Sequence, residues 1–293
     1  MACGMAKFGY PPAPQRTNHK RRKIQPDHLV RTSTFTPMTL RKIFSGSVLF
    51  AACALLASCG KLTSAQTVPT TQVPVTTTTE PQVIAASGQR SGASTQAAQR
   101  KLLSLGFWLE SPPGKYDETT RQAVMAFQKY YRLRPTGSIN AATAYLLDEM
   151  TFRVQAKATE GTLAEVDKER QLLFLVEDGV TKYAINASTG DDREYFEPDM
   201  NTPGVMLRGT SITPAGTFKT NRERPDGWWN GDLGQIYRPK YFIGGVAIHG
   251  SQVVPAYPAS HGCVRVTPAA MDMIWESELM PLGTEVVVYG ELK

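Results

Sequence analysis

From residue 95 to 150 the apolar positions recur at helical spacing. Ala98, Leu102 and Leu105 fall at i, i+4 and i+7, and Gly106 stops the run. Asp117 predicts the cap of a second helix whose Val124, Phe127 and Tyr131 line one face. Asn140 predicts the cap of a third, carrying Thr143, Leu146, Leu147 and Met150. After residue 158 the period shortens. Val166 to Gly179 reads as a strand entering an Asp178-Gly179 turn, with Val180 to Ser188 returning beside it. Further strands are predicted over Gly216–Asn221, Tyr241–His249, Gly262–Val266 and Glu285–Tyr289, and only Pro268–Leu279 reads as a helix. The fold class is an α+β multidomain chain. A small three-helix bundle, 95–150, precedes a mostly-β, sandwich- or barrel-like domain, 158–293.

The N-terminal region has a different pattern. Arg41 and Lys42 head an apolar stretch, residues 43–57, that is too short to span a membrane comfortably. Residues 38–58 therefore read as a signal peptide within a leader of 1–58. Because Met38 alone begins a leader of ordinary length, 1–37 is expected to be a mis-called start. Leu56-Ala57-Ser58-Cys59 resembles the lipobox of bacterial lipoproteins, which implies acylation of Cys59 and an exported, membrane-anchored chain facing the periplasm or wall. Gly60 stands where an Asp would favour inner-membrane retention, so an outer-membrane anchor is open. Residues 59–94 are dominated by Thr, Pro, Gln, Ser and Val, too poor in large apolar groups to offset the entropy of folding. They are expected to form a disordered tether whose thirty or so residues reach about 30 Å as a coil.

Charge removes one class of function. The chain carries +6 overall, but nine cations against Asp27 alone give residues 1–58 a charge of +8, which leaves about −2 for the rest. The working part has no basic patch interleaved with aromatics, so nucleic acid is excluded as a partner.

The candidate chemistry is concentrated near the C-terminus. There are four cysteines, Cys3, Cys53, Cys59 and Cys263, and four histidines, His19, His28, His249 and His261. With the leader and Cys59 set aside, one thiol remains, with His249 and His261 both within fourteen residues of it. A lone thiol in an oxidising envelope has no intrachain disulfide partner, which points to use. A thiol becomes a nucleophile at neutral pH only beside a base, so Cys and His together are the parts of a covalent acyl-transfer site. In an extended Gly262–Val266, His261, Cys263 and Arg265 share one face, and the strand ending at His249 turns that imidazole the same way as Ala247. Spacing leaves open which histidine is the base. No cluster at zinc-ligand spacing occurs, so neither metal nor cofactor is expected. Trp228 and Trp229, near Gly227 and Gly231, suit either a flap over the site or a plain surface loop.

Two resemblances extend this reading. Gln99 to Leu105, Gly114-Lys115-Tyr116-Asp117, Ala123-Val124-Met125-Ala126-Phe127-Gln128 and Thr136-Gly137-Ser138-Ile139 resemble the peptidoglycan-binding-domain-like family, which implies wall docking by the bundle. His249-Gly250, Ser260-His261-Gly262-Cys263-Val264-Arg265 and Thr213-Pro214-Ala215-Gly216-Thr217-Phe218 resemble the L,D-transpeptidase catalytic domain of YkuD type over roughly 160–290. That resemblance implies Cys263 as nucleophile and His249 as general base, with the Gly250 backbone carbonyl orienting the base. It implies that His261 and the N–H groups of Gly262 and Cys263 surround the oxyanion, where preorganised donors contribute about 3 kcal/mol each. Arg265 stands where many members have Asn and is expected, with Ser260, to bind substrate.

The implied reaction forms a thioester with a peptidoglycan tetrapeptide stem and passes it to an amine, giving a 3–3 cross-link or an attached protein. β-Lactams of the carbapenem class are the implied acylating inhibitors. Transfer to water would make the same site a carboxypeptidase, and a degenerate site would leave a non-catalytic wall-binding lipoprotein. Other cysteine chemistries fit worse. A sortase-type pattern has its histidine much farther upstream. A papain-like protease has its cysteine before its histidine, and a cysteine phosphatase needs Arg six places after the cysteine, where Ala269 stands.

Overall fold

The computed structural model describes residues 83–110 and 112–292. The leader, Cys59 and the first part of the tether lie outside the described residues.

The three expected helices form: α1 over Ala93–Leu105, α2 over Glu118–Tyr130 and α3 over Ala141–Glu149. Gly106 ends α1 in the left-handed region, at φ 92°, with its N–H turned back to the last carbonyls. Asp117 accepts the Thr120 N–H at 2.8 Å, and Asn140 accepts that of Thr143 at 2.9 Å, so both polar caps act as their positions suggest.

The first sheet runs β3-β2-β1-β12-β6. Its strands are β1, Leu163–Asp167; β2, Leu172–Glu177; β3, Val180–Asn186; β6, Gly216–Lys219; and β12, Glu285–Tyr289, which lies parallel to β1. The Asp178-Gly179 turn joins β2 to β3 with φ of 50° and 74°, as a tight hairpin requires. The long strand expected from Val166 to Gly179 is in fact two. Gln171 takes φ 56°, and the polar run Lys168–Gln171 folds β1 back onto β2.

A hairpin of β4, Glu194–Pro198, and β5, Met206–Thr210, stands apart. The second sheet runs β11-β10-β9-β7, with β8 also pairing β9. Its strands are β7, Arg222–Glu223; β8, Trp228–Gly231; β9, Gly234–Ile243; β10, Val246–Gly250; and β11, Val264–Val266. The expected strand Tyr241–His249 is broken by Gly244, at φ 51°, into the end of β9 and the whole of β10. The expected strand Gly262–Val266 begins only at Val264, because Gly262 sits at φ 132° in a bend. Helix α4, Pro268–Glu276, is capped by Thr267.

One apolar core joins both sheets and α4. Val166, Leu173, Leu175, Val286 and Val288 meet Phe242, Ile248, Val264, Val266, Met271 and Ile274. The helical bundle does not close a core of its own. Phe107, Val124, Phe127 and Leu147 share a cluster with Leu172, Phe174 and Ala184 of β2 and β3. A bundle of this size buries too little surface alone, and the outer face of the sheet supplies the rest. The backbone seals the seam: Ala184 N–H donates to Gly106 O at 2.8 Å, and Trp108 N–H to Ala184 O at 3.2 Å.

Candidate active site

Strand β10 delivers His249. Ala247 and Ile248 are fully buried and His249 is only 3% exposed, so the strand is anchored up to its last turnable side chain. Parallel pairing places Ile248 opposite Val264 and His249 opposite Arg265. Cys263 comes immediately before β11, two residues from Arg265. The imidazole, the guanidinium and the half-buried thiol all line one cleft of about 840 Å³.

The imidazole is fixed by its own neighbour. His249 Nδ1 lies 2.8 Å from the Gly250 carbonyl oxygen. A carbonyl only accepts, so Nδ1 carries the proton and Nε2 keeps its lone pair. Burial pushes this imidazole down to about 4, and the positive charge of Arg265 acts the same way, while the Gly250 bond opposes both. Burial also pushes the Cys263 thiol up, against the Ala247 N–H and Arg265, which favour the thiolate. Both shifts favour the uncharged forms of the imidazole and the thiol. The Cys263 S–H points to the Gly245 carbonyl at 3.7 Å and makes no hydrogen bond to His249.

The bend before the cysteine is tightly specified. A Cβ on Gly262 would stand 2.7 Å from the Ile212 carbonyl oxygen, and its φ is in the region that disfavours other residues. Thr213 Oγ1 donates to the Gly262 carbonyl at 2.6 Å and accepts the Gly190 N–H at 2.9 Å. Ser260 Oγ accepts the Gly262 N–H at 3.1 Å and donates to the Cys263 carbonyl at 2.5 Å. Ser260 is buried, and its hydroxyl is engaged with the backbone on both sides. His261 lies at the rim, with Nε2 3.0 Å from Glu197 Oε1 and its ring edge-on to Tyr195 at 5.1 Å.

The cleft mouth is framed by two hairpins. Asn201, between β4 and β5, donates to Asp232 Oδ1 at 2.9 Å and to the Asn230 carbonyl at 3.2 Å, tying that hairpin to the β8–β9 turn. Trp228 and Trp229 of β8 line the cleft, and the Arg224 guanidinium stacks on Trp229 at 3.9 Å. Among the described residues no group of three or more His, Cys, Asp or Glu side chains is placed to hold a metal ion. The sequence reading missed the roles of Thr213, Ser260 and Glu197. Thr213 was visible only as part of a recurring segment, and Glu197 had no signal beyond lying in a polar stretch.

Known proteins match this arrangement in both parts. The L,D-transpeptidase catalytic domain family matches residues 161–288, and the peptidoglycan binding domain family matches 91–147. The crystal structure of an L,D-transpeptidase from Xylanimonas cellulosilytica DSM 15894 is 40% identical, covers 69% of this chain and 96% of its own, and superposes with a TM-score of 0.62. An L,D-transpeptidase from Stackebrandtia nassauensis is 21% identical over 69% of this chain and 94% of its own, with a TM-score of 0.39. No curated protein sequence matches. The chain belongs to the L,D-transpeptidase family, with a peptidoglycan-binding module ahead of its catalytic domain. Both families are directed at peptidoglycan, which implies a cell-wall or envelope location.

Proposed function

We propose that the protein is a cysteine acyltransferase of the cell wall, working through Cys263 and His249 on peptidoglycan tetrapeptide stems. The observation that carries this reading is the 2.8 Å bond from His249 Nδ1 to Gly250 O, which leaves Nε2 bare beside the cleft that holds the thiol. In this reading the thiol leaves Gly245 O and gives its proton to His249 Nε2. The sulfur then attacks the carbonyl of the third stem residue, a diaminopimelate. His261 and the backbone N–H groups of the Gly262-Cys263 bend surround the oxyanion in this reading, with Ser260 Oγ holding the Gly262 N–H in the resting site. The tetrahedral species collapses to a thioester as the C–N bond breaks, and the imidazolium returns its proton to the leaving D-Ala amine. An amine on a second stem, or on a wall-bound protein, attacks the thioester, loses a proton to His249 and frees the thiol. Water in place of the amine gives the carboxypeptidase outcome at the same site. Arg265, charged and facing the cleft, suits a stem carboxylate. The leader and an acylated Cys59 would hold the enzyme to a membrane, the outer one included, within reach of the wall.

Intact-protein mass after incubation with a carbapenem tests the nucleophile. We expect one adduct on the wild type and none on Cys263→Ala, and an adduct on both would remove Cys263 from the role. A muropeptide profile with and without the protein separates cross-linking from trimming.

A further inference from the structure

The loop of residues 251–259 carries the chain from His249 to the Cys263 bend; Asn186, Ser188 and Val266 hold it from within the catalytic domain, and the docking module holds it as well. Its anchor is Val254, 2% exposed, whose carbonyl accepts Gln122 Nε2 at 3.1 Å. Gln122 belongs to α2 of the peptidoglycan-binding module and is itself buried. Its Oε1 accepts Asn186 Nδ2 at 2.5 Å, and its Nε2 also donates to Glu118 at 2.7 Å, so the amide is a fixed junction between module, β3 and loop.

Two turns along α2, on the same face, Lys129 makes a second grip. Its Nζ donates to the carbonyls of Gln171 at 3.0 Å and Ala187 at 3.1 Å. The Gln171 side chain clasps Thr189 through bonds of 2.7 and 2.8 Å, and the Thr189 carbonyl accepts the N–H groups of Ala259 and Ser260, both at 2.9 Å. Ser260 is the residue whose hydroxyl ties Gly262 to Cys263. The middle of the loop and its C-terminal end are therefore hydrogen-bonded, directly or through two intermediary residues, to one helix of the docking module.

We infer that α2 supports the active site from behind, with Gln122 as a positioning residue that sets Cys263 in register with His249 and Lys129 as its support. The inference rests on the reading of Cys263 as the nucleophile and goes beyond it by giving the module a role in the chemical step. An apolar seam would let the loop slide, whereas a buried amide with all its hydrogen bonds made fixes Val254 at one position. The thiol and its base need that precision, since misplacement by about 1 Å costs of the order of a hundredfold in rate.

The test uses the full chain with Gln122→Leu, Gln122→Glu and, as a matched control, Gln128→Ala. Gln128 lies on the same helix but bonds only within its own module, to Ser138, Thr143 and Gly137. Two readouts are followed: acylation by meropenem, and the pH profile of Cys263 alkylation by iodoacetamide. Gln122→Leu is expected to slow the acylation step about ten- to hundredfold while changing the half-saturating meropenem concentration far less, and to move the alkylation midpoint. Gln122→Glu keeps the bond from Asn186 but turns an acceptor oxygen toward both Glu118 and the Val254 carbonyl, so it should slow acylation at least as much as Gln122→Leu. Gln128→Ala should lower the thermal midpoint and leave both readouts at wild-type values.

Folded Gln122 variants that match wild type in both readouts would overturn the inference, and so would an equal loss in Gln128→Ala. Should neither Gln122 variant fold, Asn186→Ala decides the comparison, because it removes the donor shared by Gln122 Oε1 and the Val254 and Pro255 carbonyls. A wild type that meropenem leaves unmodified would sink the acyltransferase reading instead, and the alkylation profiles would then judge the positioning by themselves.

Discussion

Thr213 and Gly262 stand forty-nine positions apart in the chain, and the threonine hydroxyl donates to the glycine carbonyl at 2.6 Å. That hydroxyl also accepts from Gly190, so one buried oxygen holds the bend before Cys263 against a neighbouring loop. Thr213→Val keeps the shape and removes the oxygen. Two buried backbone groups lose a partner, which costs about 1–3 kcal/mol for each left unmade. We expect a lower denaturation midpoint together with slower carbapenem acylation. An unchanged acylation rate in a destabilised variant would mean the bend holds its shape without this bond.

Gly262→Ala attacks the same bend through the backbone. The new methyl meets the Ile212 carbonyl at 2.7 Å and must adopt φ 132°. Strain of this kind costs about 1–3 kcal/mol, and relief would pull Cys263 out of place. The variant should fold less stably and form no measurable carbapenem adduct, checked by thermal denaturation and intact mass.

The pH dependence follows from His249. Its folded value of about 4 lies below the ordinary 6.5, mainly through burial and then through Arg265. As pH falls through this window the unfolded chain takes the proton first, so the group's contribution to stability is present above 6.5 and is lost on the way down to about 4. The acid limb of Cys263 acylation should accordingly fall well below 6.5, and a limb at 6.5 or above would mean a solvated imidazole. His249→Gln should slow thioester formation more than His261→Gln, because Gly250 O holds His249 Nδ1 and leaves Nε2 to take a proton, whereas Glu197 engages His261 Nε2.

Lys129 gives a signature of the same sign at higher pH. Burial pushes its ammonium from 10.5 down to about 7. Between these values the unfolded chain holds the extra proton, so this group's contribution makes stability rise with pH over that window. Lys129→Met removes the titration. The difference in unfolding free energy between wild type and variant, measured by denaturant at pH 7 and pH 9, should shift in favour of the wild type at the higher pH.

Local chemistry made much of this readable beforehand. Asp117, Asn140 and Gly106 act on residues three or four places away, and the Asp178-Gly179 turn needs only its own two φ values. The strands β4, β5, β7 and β8 escaped notice because their side chains are largely exposed, and a strand without a buried face shows no alternation. The turns at Gln171 and Gly244 lie between apolar stretches that read as one strand, and the polar run Lys168–Gln171 and the Gly244-Gly245 pair were the local signs of the break. At the site, His249 and Cys263 were visible as scarce residue types close together. The supports at Gln122, Gln171 and Thr189 were not, since each finds its partner across the fold and leaves no periodic trace.

Phe127 and Phe174 belong to one apolar cluster, although one sits on the docking helix and the other on the catalytic sheet. Cutting the chain at the apparent domain border would therefore leave an oily scar on each piece, and the catalytic half would carry its bare side into solution. The two regions should melt as a single cooperative unit, and evolution could not swap the wall-docking part for another without rebuilding the sheet beneath it.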